Sequence, residues 1–249
     1  MFNKNLADIY ADTKKKCISG QFSKLEKGVS KIYKGIESEI VSQIYEPKYK
    51  TVIKVINKMV LDTTQDLIKE GNTNIMVLNL ASTYKPGGGV INGAIAQEED
   101  LFRKTNYFLS LSNNFYPIPQ TNVIFTDKVF VIKDNNFNDH DEPFAVSMLA
   151  AAAIKNPQLV NGRFSQLDYK VMKTTIENIF KVAYLEKKEN LVLGALGCGA
   201  YHNPPLIIIS IFNEFLLKYN GCFKNIVFAV YSKKDDNFEL FNTKLFKNE

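Results

Sequence analysis

The chain has 249 residues, enough for one domain with a sizeable core. A hydrophobic content of 45% and a charged content of 23% exclude disordered and fibrous classes. The formal net charge of +5, from 31 basic and 26 acidic residues, is compatible with an anionic ligand but too mild to mark a nucleic-acid binder. Arg103 and Arg163 are the only arginines, so bidentate arginine clamping of phosphate is nearly ruled out and backbone N–H groups must do that work. Cys17, Cys198 and Cys222 are odd in number, widely spaced and without a CxxC pair, which argues against a disulfide scaffold or a zinc centre. His140 and His202 are too few for a histidine-rich metal site. The stretch MFNKNLADIYADTKKK lacks the apolar core of a leader, and no apolar run approaches membrane-spanning length. No metal, no cofactor and no membrane are therefore expected, and a reducing intracellular compartment is the default.

Residues 3–46 are lysine-rich and read as an N-terminal helical extension packed on the main domain. Leu6, Ile9 and Tyr10 can form one face of a first helix, and Lys31–Ile44 is either extended or helical. The alternation in Tyr49–Asn57 predicts a strand. Asp62–Glu70 follows as a helix, capped by Asp62 or Thr63, with Gly71 just past its end. Ile75–Ala81 is apolar except for Asn79 and reads as a buried strand. Gln97 to about Leu111 predicts a helix, with Leu101, Phe102, Thr105, Phe108 and Leu109 on its core stripe.

Beyond it, Asn113–Asp127 reads as a loop with a short strand at Val123–Phe125, and Lys128–Lys133 as a further strand. Asp134–Glu142 reads as a polar surface turn in which His140 is exposed. Phe144–Ala153 is an apolar strand ending in small residues. The stripe of Leu167, Val171, Met172, Ile176, Ile179, Phe180 and Ala183 predicts a helix over Ser165–Glu186. Leu191–Leu196 reads as a strand, Gly197–Tyr201 as a glycine loop, and Asn203-Pro204-Pro205 as the cap and first turn of a helix. Asn225–Tyr231 is the last predicted strand. Strands alternating with helices give an α/β fold with a mixed, largely parallel sheet flanked by helices, in a single domain over residues 1–249.

Chemistry concentrates between Asn74 and Leu111. A buried strand fixes the loop after it, Gly87–Gly89 let a backbone approach a ligand closely, and Gln97-Glu98-Glu99-Asp100 places three carboxylates beside an amide. Singly, three glycines are usually a flexible turn, and acidic residues favour a first helical turn through its dipole. Strand, PGGG, short spacer and QEE in that order are much less ordinary. A second glycine loop, GCGAY, also follows a buried strand, and ligands bind at such strand ends in open α/β folds. Neither a GxGxxG opening a helix nor a GxxxxGK[ST] is present. A carboxyl beside another carboxylate and withdrawn from water holds its proton more readily, as an acid catalyst must.

GGG, a short spacer and QEE resemble the signature of poly(ADP-ribose) glycohydrolases of the compact, bacterial, macrodomain-like type. The resemblance continues through Tyr116–Asp134, Leu191–Pro205 and Asn225–Ser232. It implies a macrodomain-like fold, and hydrolysis of ribose–ribose O-glycosidic bonds from the polymer terminus, releasing ADP-ribose. Glu99 is then the general acid and base, and Glu98 its partner on a ribose hydroxyl. Gly87, Gly88 and Gly89 form the diphosphate or distal-ribose loop, faced by Gly197, Cys198, Gly199, Ala200 and Tyr201. Tyr201 stands where the family commonly has phenylalanine and can stack on the ligand. Cys198 is a small residue in a tight loop. Asn79, at the strand end, falls where relatives contact substrate, whereas Ser82 departs from the Asp or Asn found there. Gln97 is either a loop-stabilising amide or a substrate contact.

The implied partners are poly(ADP-ribose) or an ADP-ribosylated protein, with ADP-ribose as product, and a monomer in the cytoplasm, or in the nucleus of a eukaryote. An ADP-ribose reader without catalysis, and a hydrolase for another ADP-ribose linkage, are the alternatives.

Overall fold

The computed structural model describes residues 5–34, 47–233 and 235–246. In chain order its helices are α1 (Leu6–Ser19), α2 (Val60–Lys69), α3 (Gln97–Lys104), α4 (Gln166–Leu185), α5 (Pro205–Lys218) and α6 (Asn237–Lys244). Its strands are β1 (Ser30–Tyr33), β2 (Val52–Ile56), β3 (Ile75–Leu80), β4 (Val123–Lys133), β5 (Asp139–Ala151), β6 (Asn190–Leu193) and β7 (Asn225–Ala229). The strands pair in the order β1-β4-β5-β3-β6-β7-β2. From β5 to β2 all neighbours are parallel, while β4 is antiparallel to both β5 and β1.

The central strand explains the layering. Met76 and Leu78 point into a core shared with α4, α5 and α6, whereas Ile75 and Val77 point into one shared with α1, α2 and α3. Period-two alternation persists, but both faces are covered, so the run reads as continuously apolar. Asn79 lies on the Ile75 face and is fully buried toward α3. The chain leaves β3 toward β4 on one side and leaves its neighbour β6 toward β7 on the other, so the carboxyl ends of β3 and β6 flank a topological switch point.

Several sequence expectations shift. The helix predicted from Gln97 to about Leu111 ends at Lys104, because Thr105 turns extended and bridges Val131, and Asn106 exchanges hydrogen bonds with Phe130. The two strands read at Val123–Phe125 and Lys128–Lys133 are one strand, β4, whose pairing with β5 slips between Thr126 and Val129. The turn read over Asp134–Glu142 is confined to its first half, since β5 begins at Asp139 and His140 is half-buried with its ring edge on Phe144.

Helix α2 starts two residues before Asp62, and neither Asp62 nor Thr63 caps it. Its end does follow the glycine rule. Gly71, at φ +82°, donates to Ile68 O, and Asn72 N–H reaches Leu67 O. Asn203 is not a helix cap either; its side chain is engaged elsewhere. Helix α6 was not anticipated, because Phe241 is its one fully apolar buried anchor in a polar sequence. The first part of Lys31–Ile44 is strand, and the remainder, residues 35–44, lies outside the described residues.

Helix α1 is fastened to the domain by charge. Lys133 on β4 is 2% exposed and pairs with Asp12 at 2.8 Å and Asp139 at 2.6 Å, while Lys16 reaches the same Asp139. Burial raises the two aspartates, but hydrogen bonds and charge from Lys133 and Lys16 hold both below the usual carboxylate range. A second fastening runs through Arg103, which is 2% exposed. Its guanidinium donates to Leu6 O at 3.0 Å and to Ala94 O, and Thr13 donates its hydroxyl to Arg103 O. No described helix is long and apolar enough to cross a membrane.

Candidate active site

The first turn of α3 is attached residue by residue to the end of β3. β6 pairs with β3 only as far as Val77. Past that point the side-chain amide of Gln97 does what a neighbouring strand would do. It accepts from Leu80 N–H at 2.8 Å and donates to Leu78 O at 2.7 Å. Of the two sequence readings of Gln97, the loop-stabilising amide is the one the geometry displays.

Glu98 follows, at 2% exposure. One carboxylate oxygen accepts from Ser82 N–H at 2.8 Å; the other accepts from Asn79 Nδ2 at 3.2 Å and from the Tyr116 hydroxyl at 3.4 Å. Burial pushes its pKa up to about 7, against the lowering effect of the Ser82 and Asn79 hydrogen bonds and with some help from the Glu99 charge. Burial and the charge of Glu98 in turn raise Tyr116. Asn79, expected to touch substrate, has no exposure, and its Oδ1 lacks a hydrogen-bond partner.

Glu99 is 7% exposed. Its Oε1 accepts from Gly89 N–H at 2.8 Å, and its Oε2 is buried without a partner. The three glycines wrap this pair. Gly88 has φ +50°, and a Cβ there would collide with Glu99 Oε1 and come within 3.3 Å of Glu98 Oε2. A Cβ on Gly87, at φ +72°, would stand 2.6 Å from the Phe102 ring. The N–H of Gly88 donates to Lys85 O and that of Gly89 to Glu99, so two of the three donors expected for a diphosphate are already taken.

The second glycine loop lies after β6. Gly197 has φ +75°, and a Cβ would meet Asn203 Nδ2 at 2.6 Å. That amide donates to Ile154 O at 2.7 Å and to Gly197 O and Tyr201 O at 3.2 Å, which closes the loop. Gly199 and Ala200 are exposed, and a Cβ on Gly199 would meet nothing within 4 Å. Among the described residues, no hydrogen bond takes up the N–H of Gly199, Ala200 or Tyr201. Burial pushes the Cys198 thiol up to about 12, so it stays protonated near neutrality and a nucleophilic role has no support.

The Tyr201 hydroxyl accepts from Thr83 N–H at 3.1 Å and so joins the two loops. Chemically, the arrangement presents two buried carboxyls, one carrying an unpaired oxygen, beside a strand-end loop with free backbone donors. Sequence reasoning missed Tyr116, an aromatic in an Asn- and Pro-rich loop that only the tertiary fold brings to Glu98.

Residues 5–134 match the family described as microbial-type PARG, catalytic domain. No curated protein matches the chain. Among solved structures, a poly(ADP-ribose) glycohydrolase (PARG) from Thermomonospora curvata is 22% identical with a TM-score of 0.85, over 96% of this chain and 99% of that one. The same enzyme bound to the inhibitor ADP-HPD gives 0.83 at 22% identity, over 96% of this chain and 99% of that one. A PARG from Deinococcus radiodurans in complex with ADP-ribose is 24% identical, with a TM-score of 0.75, over 86% of this chain and 93% of that one. At such identities the likeness is one of fold.

Proposed function

The chain belongs to the microbial-type PARG catalytic-domain family, a family of poly(ADP-ribose) glycohydrolases, and we propose that it hydrolyses ribose–ribose O-glycosidic bonds of poly(ADP-ribose) with Glu99 as general acid and base. One observation carries this reading. Glu99 is buried, held by Gly89 N–H through one oxygen, and leaves the other unpaired at the strand end. Such an oxygen can deliver a proton to the leaving ribose oxygen as the anomeric carbon gains oxocarbenium character. It then takes a proton from the attacking water, which closes the cycle. Glu98 accepts a hydrogen bond from a ribose hydroxyl and orients the sugar, and Asn79, Ser82 and Tyr116 orient Glu98 in turn.

The division of labour between the loops follows from which donors are free. Gly87, Gly88 and Gly89 hold the distal ribose close to the acid. Gly197, Cys198, Gly199, Ala200 and Tyr201 take the diphosphate and the adjoining sugar, since the N–H groups of Gly199, Ala200 and Tyr201 are uncommitted among the described residues. Residues 1–46 are part of the same domain, in keeping with the way α1 is fastened. Attack from the polymer terminus, a monomeric state and a cytoplasmic location complete the reading; three cysteines, none in a disulfide, suit a reducing compartment.

The test compares ADP-ribose release from purified poly(ADP-ribose) by the wild type and Glu99→Gln, with ADP-ribose binding measured for both. Release should fall at least about 100-fold with binding retained. A wild type that binds ADP-ribose tightly yet releases none would instead identify a reader or a hydrolase of another linkage.

A further inference from the structure

Tyr201 differs from a phenylalanine by one oxygen, and that oxygen is engaged. Its hydroxyl accepts Thr83 N–H at 3.1 Å. The Thr83 carbonyl on the other side of the same residue accepts Ile118 N–H at 2.9 Å. Thr83 is therefore held from two directions by two different loops. Its neighbour Ser82 supplies the shortest of the three hydrogen bonds to Glu98, at 2.8 Å, and Tyr116, two residues before Ile118, supplies another. Glu98, Ser82-Thr83 and Tyr116–Ile118 thus form a closed ring of contacts. Tyr201 enters that ring from the far side of β3. Its own backbone is fixed, because Tyr201 O accepts from Asn156 N–H at 2.9 Å and from Asn203 Nδ2 at 3.2 Å.

We propose that Tyr201 is a positioning residue for Glu98: its hydroxyl couples the second glycine loop to that carboxylate through the Thr83 and Ser82 peptides. This rests on the glycohydrolase reading above and adds to it a residue that acts without touching the reacting atoms. A ring fixed before the ligand arrives loses less freedom on binding, so the strut also pre-forms the face on which a sugar would rest. Tyr201→Phe keeps the ring and removes only the acceptor, leaving Thr83 N–H without its partner.

The experiment has two parts on the full chain, after thermal unfolding has confirmed that each variant folds. Amide hydrogen exchange without ligand should show Thr83 and Ser82 exchanging about tenfold faster in Tyr201→Phe. Unchanged exchange at both amides overturns the proposal. A double-mutant cycle with Glu98→Gln then asks where the effect goes. Tyr201→Phe should lower kcat for ADP-ribose release about 3- to 10-fold in the wild-type background and less than about twofold in the Glu98→Gln background. Equal losses in both backgrounds, or none in either, overturn it as well. If the wild type binds ADP-ribose but releases none from polymer, the glycohydrolase reading fails by itself and the same cycle is read on ADP-ribose affinity. If ADP-ribose is not bound either, the exchange arm alone decides the strut.

Discussion

The molecule has two glycine-rich loops at neighbouring strand ends, and they are glycine-rich for different reasons. In Pro86–Gly89 the missing side chains make room for the protein itself. A Cβ on Gly88 would strike Glu99, and one on Gly87 would strike Phe102. In Gly197–Tyr201 the first glycine is needed by Asn203 and Ala153, but a side chain on Gly199 would point into open space. One loop is therefore a mould for the buried carboxyls Glu98 and Glu99, and the other offers its backbone outward. A run of glycines is not by itself a statement about ligand contact; what a Cβ would meet decides.

The sharpest way to break this contrast is Gly88→Ala. It combines a left-handed backbone with a collision against Glu99, so activity on poly(ADP-ribose) should fall about 100-fold if the proposed role of Glu99 holds, through displacement of its carboxyl. Steady-state kinetics with a thermal melt reads it, and full activity would mean that the mould is slack. Gly197→Ala comes next, and its effect should be on stability. The left-handed φ and the Asn203 contact predict a loss of about 2–4 kcal/mol in denaturant unfolding.

Glu98→Gln should change how stability depends on pH. Glu98 has its pKa raised from an ordinary 4.5 to about 7, so its favourable contribution is complete below about pH 4.5 and disappears as pH rises through 7. A neutral amide at this position does not titrate and so escapes that loss. The variant's amide has one acceptor oxygen where Glu98 uses two, which costs a fixed amount at every pH; on top of that, stability relative to the wild type should improve by roughly 1–3 kcal/mol between pH 4 and pH 8, while activity falls to a measurable remainder. A difference that does not depend on pH would contradict the titration. The smallest effect is expected for Gly199→Ala: stability within about 0.5 kcal/mol of wild type, with ADP-ribose binding weakened only a few-fold by calorimetry. If binding were untouched, the outward role of the second loop would lose its support.

Much of this was legible in residue order. The strand, glycine and carboxylate block, the α4 stripe and the GCGAY loop were readable because each is a local pattern. What escaped depended on neighbours distant in sequence. For Gln97 the loop-stabilising reading was legible, but the choice between it and a substrate contact is decided only because β6 stops pairing at Val77. Thr105 leaves its helix because Val131 is beside it. Asn203 looked like a cap, yet Ile154, 49 residues away, recruits its amide. Tyr116 is joined to Glu98 by a fold-wide closure that leaves no periodic trace.

The fastening of Arg103 to Leu6 has a consequence for the order in which the protein comes apart. The two partners are 97 residues apart in the chain, and the same guanidinium holds Ala94 in the loop leading to Glu99. A contact of such sequence separation closes late and can open without the sheet opening. Release of α1 would then free the loop around Ala94 while the seven strands remain paired. On gentle heating or in dilute urea, the enzyme should fall silent first and unfold afterwards.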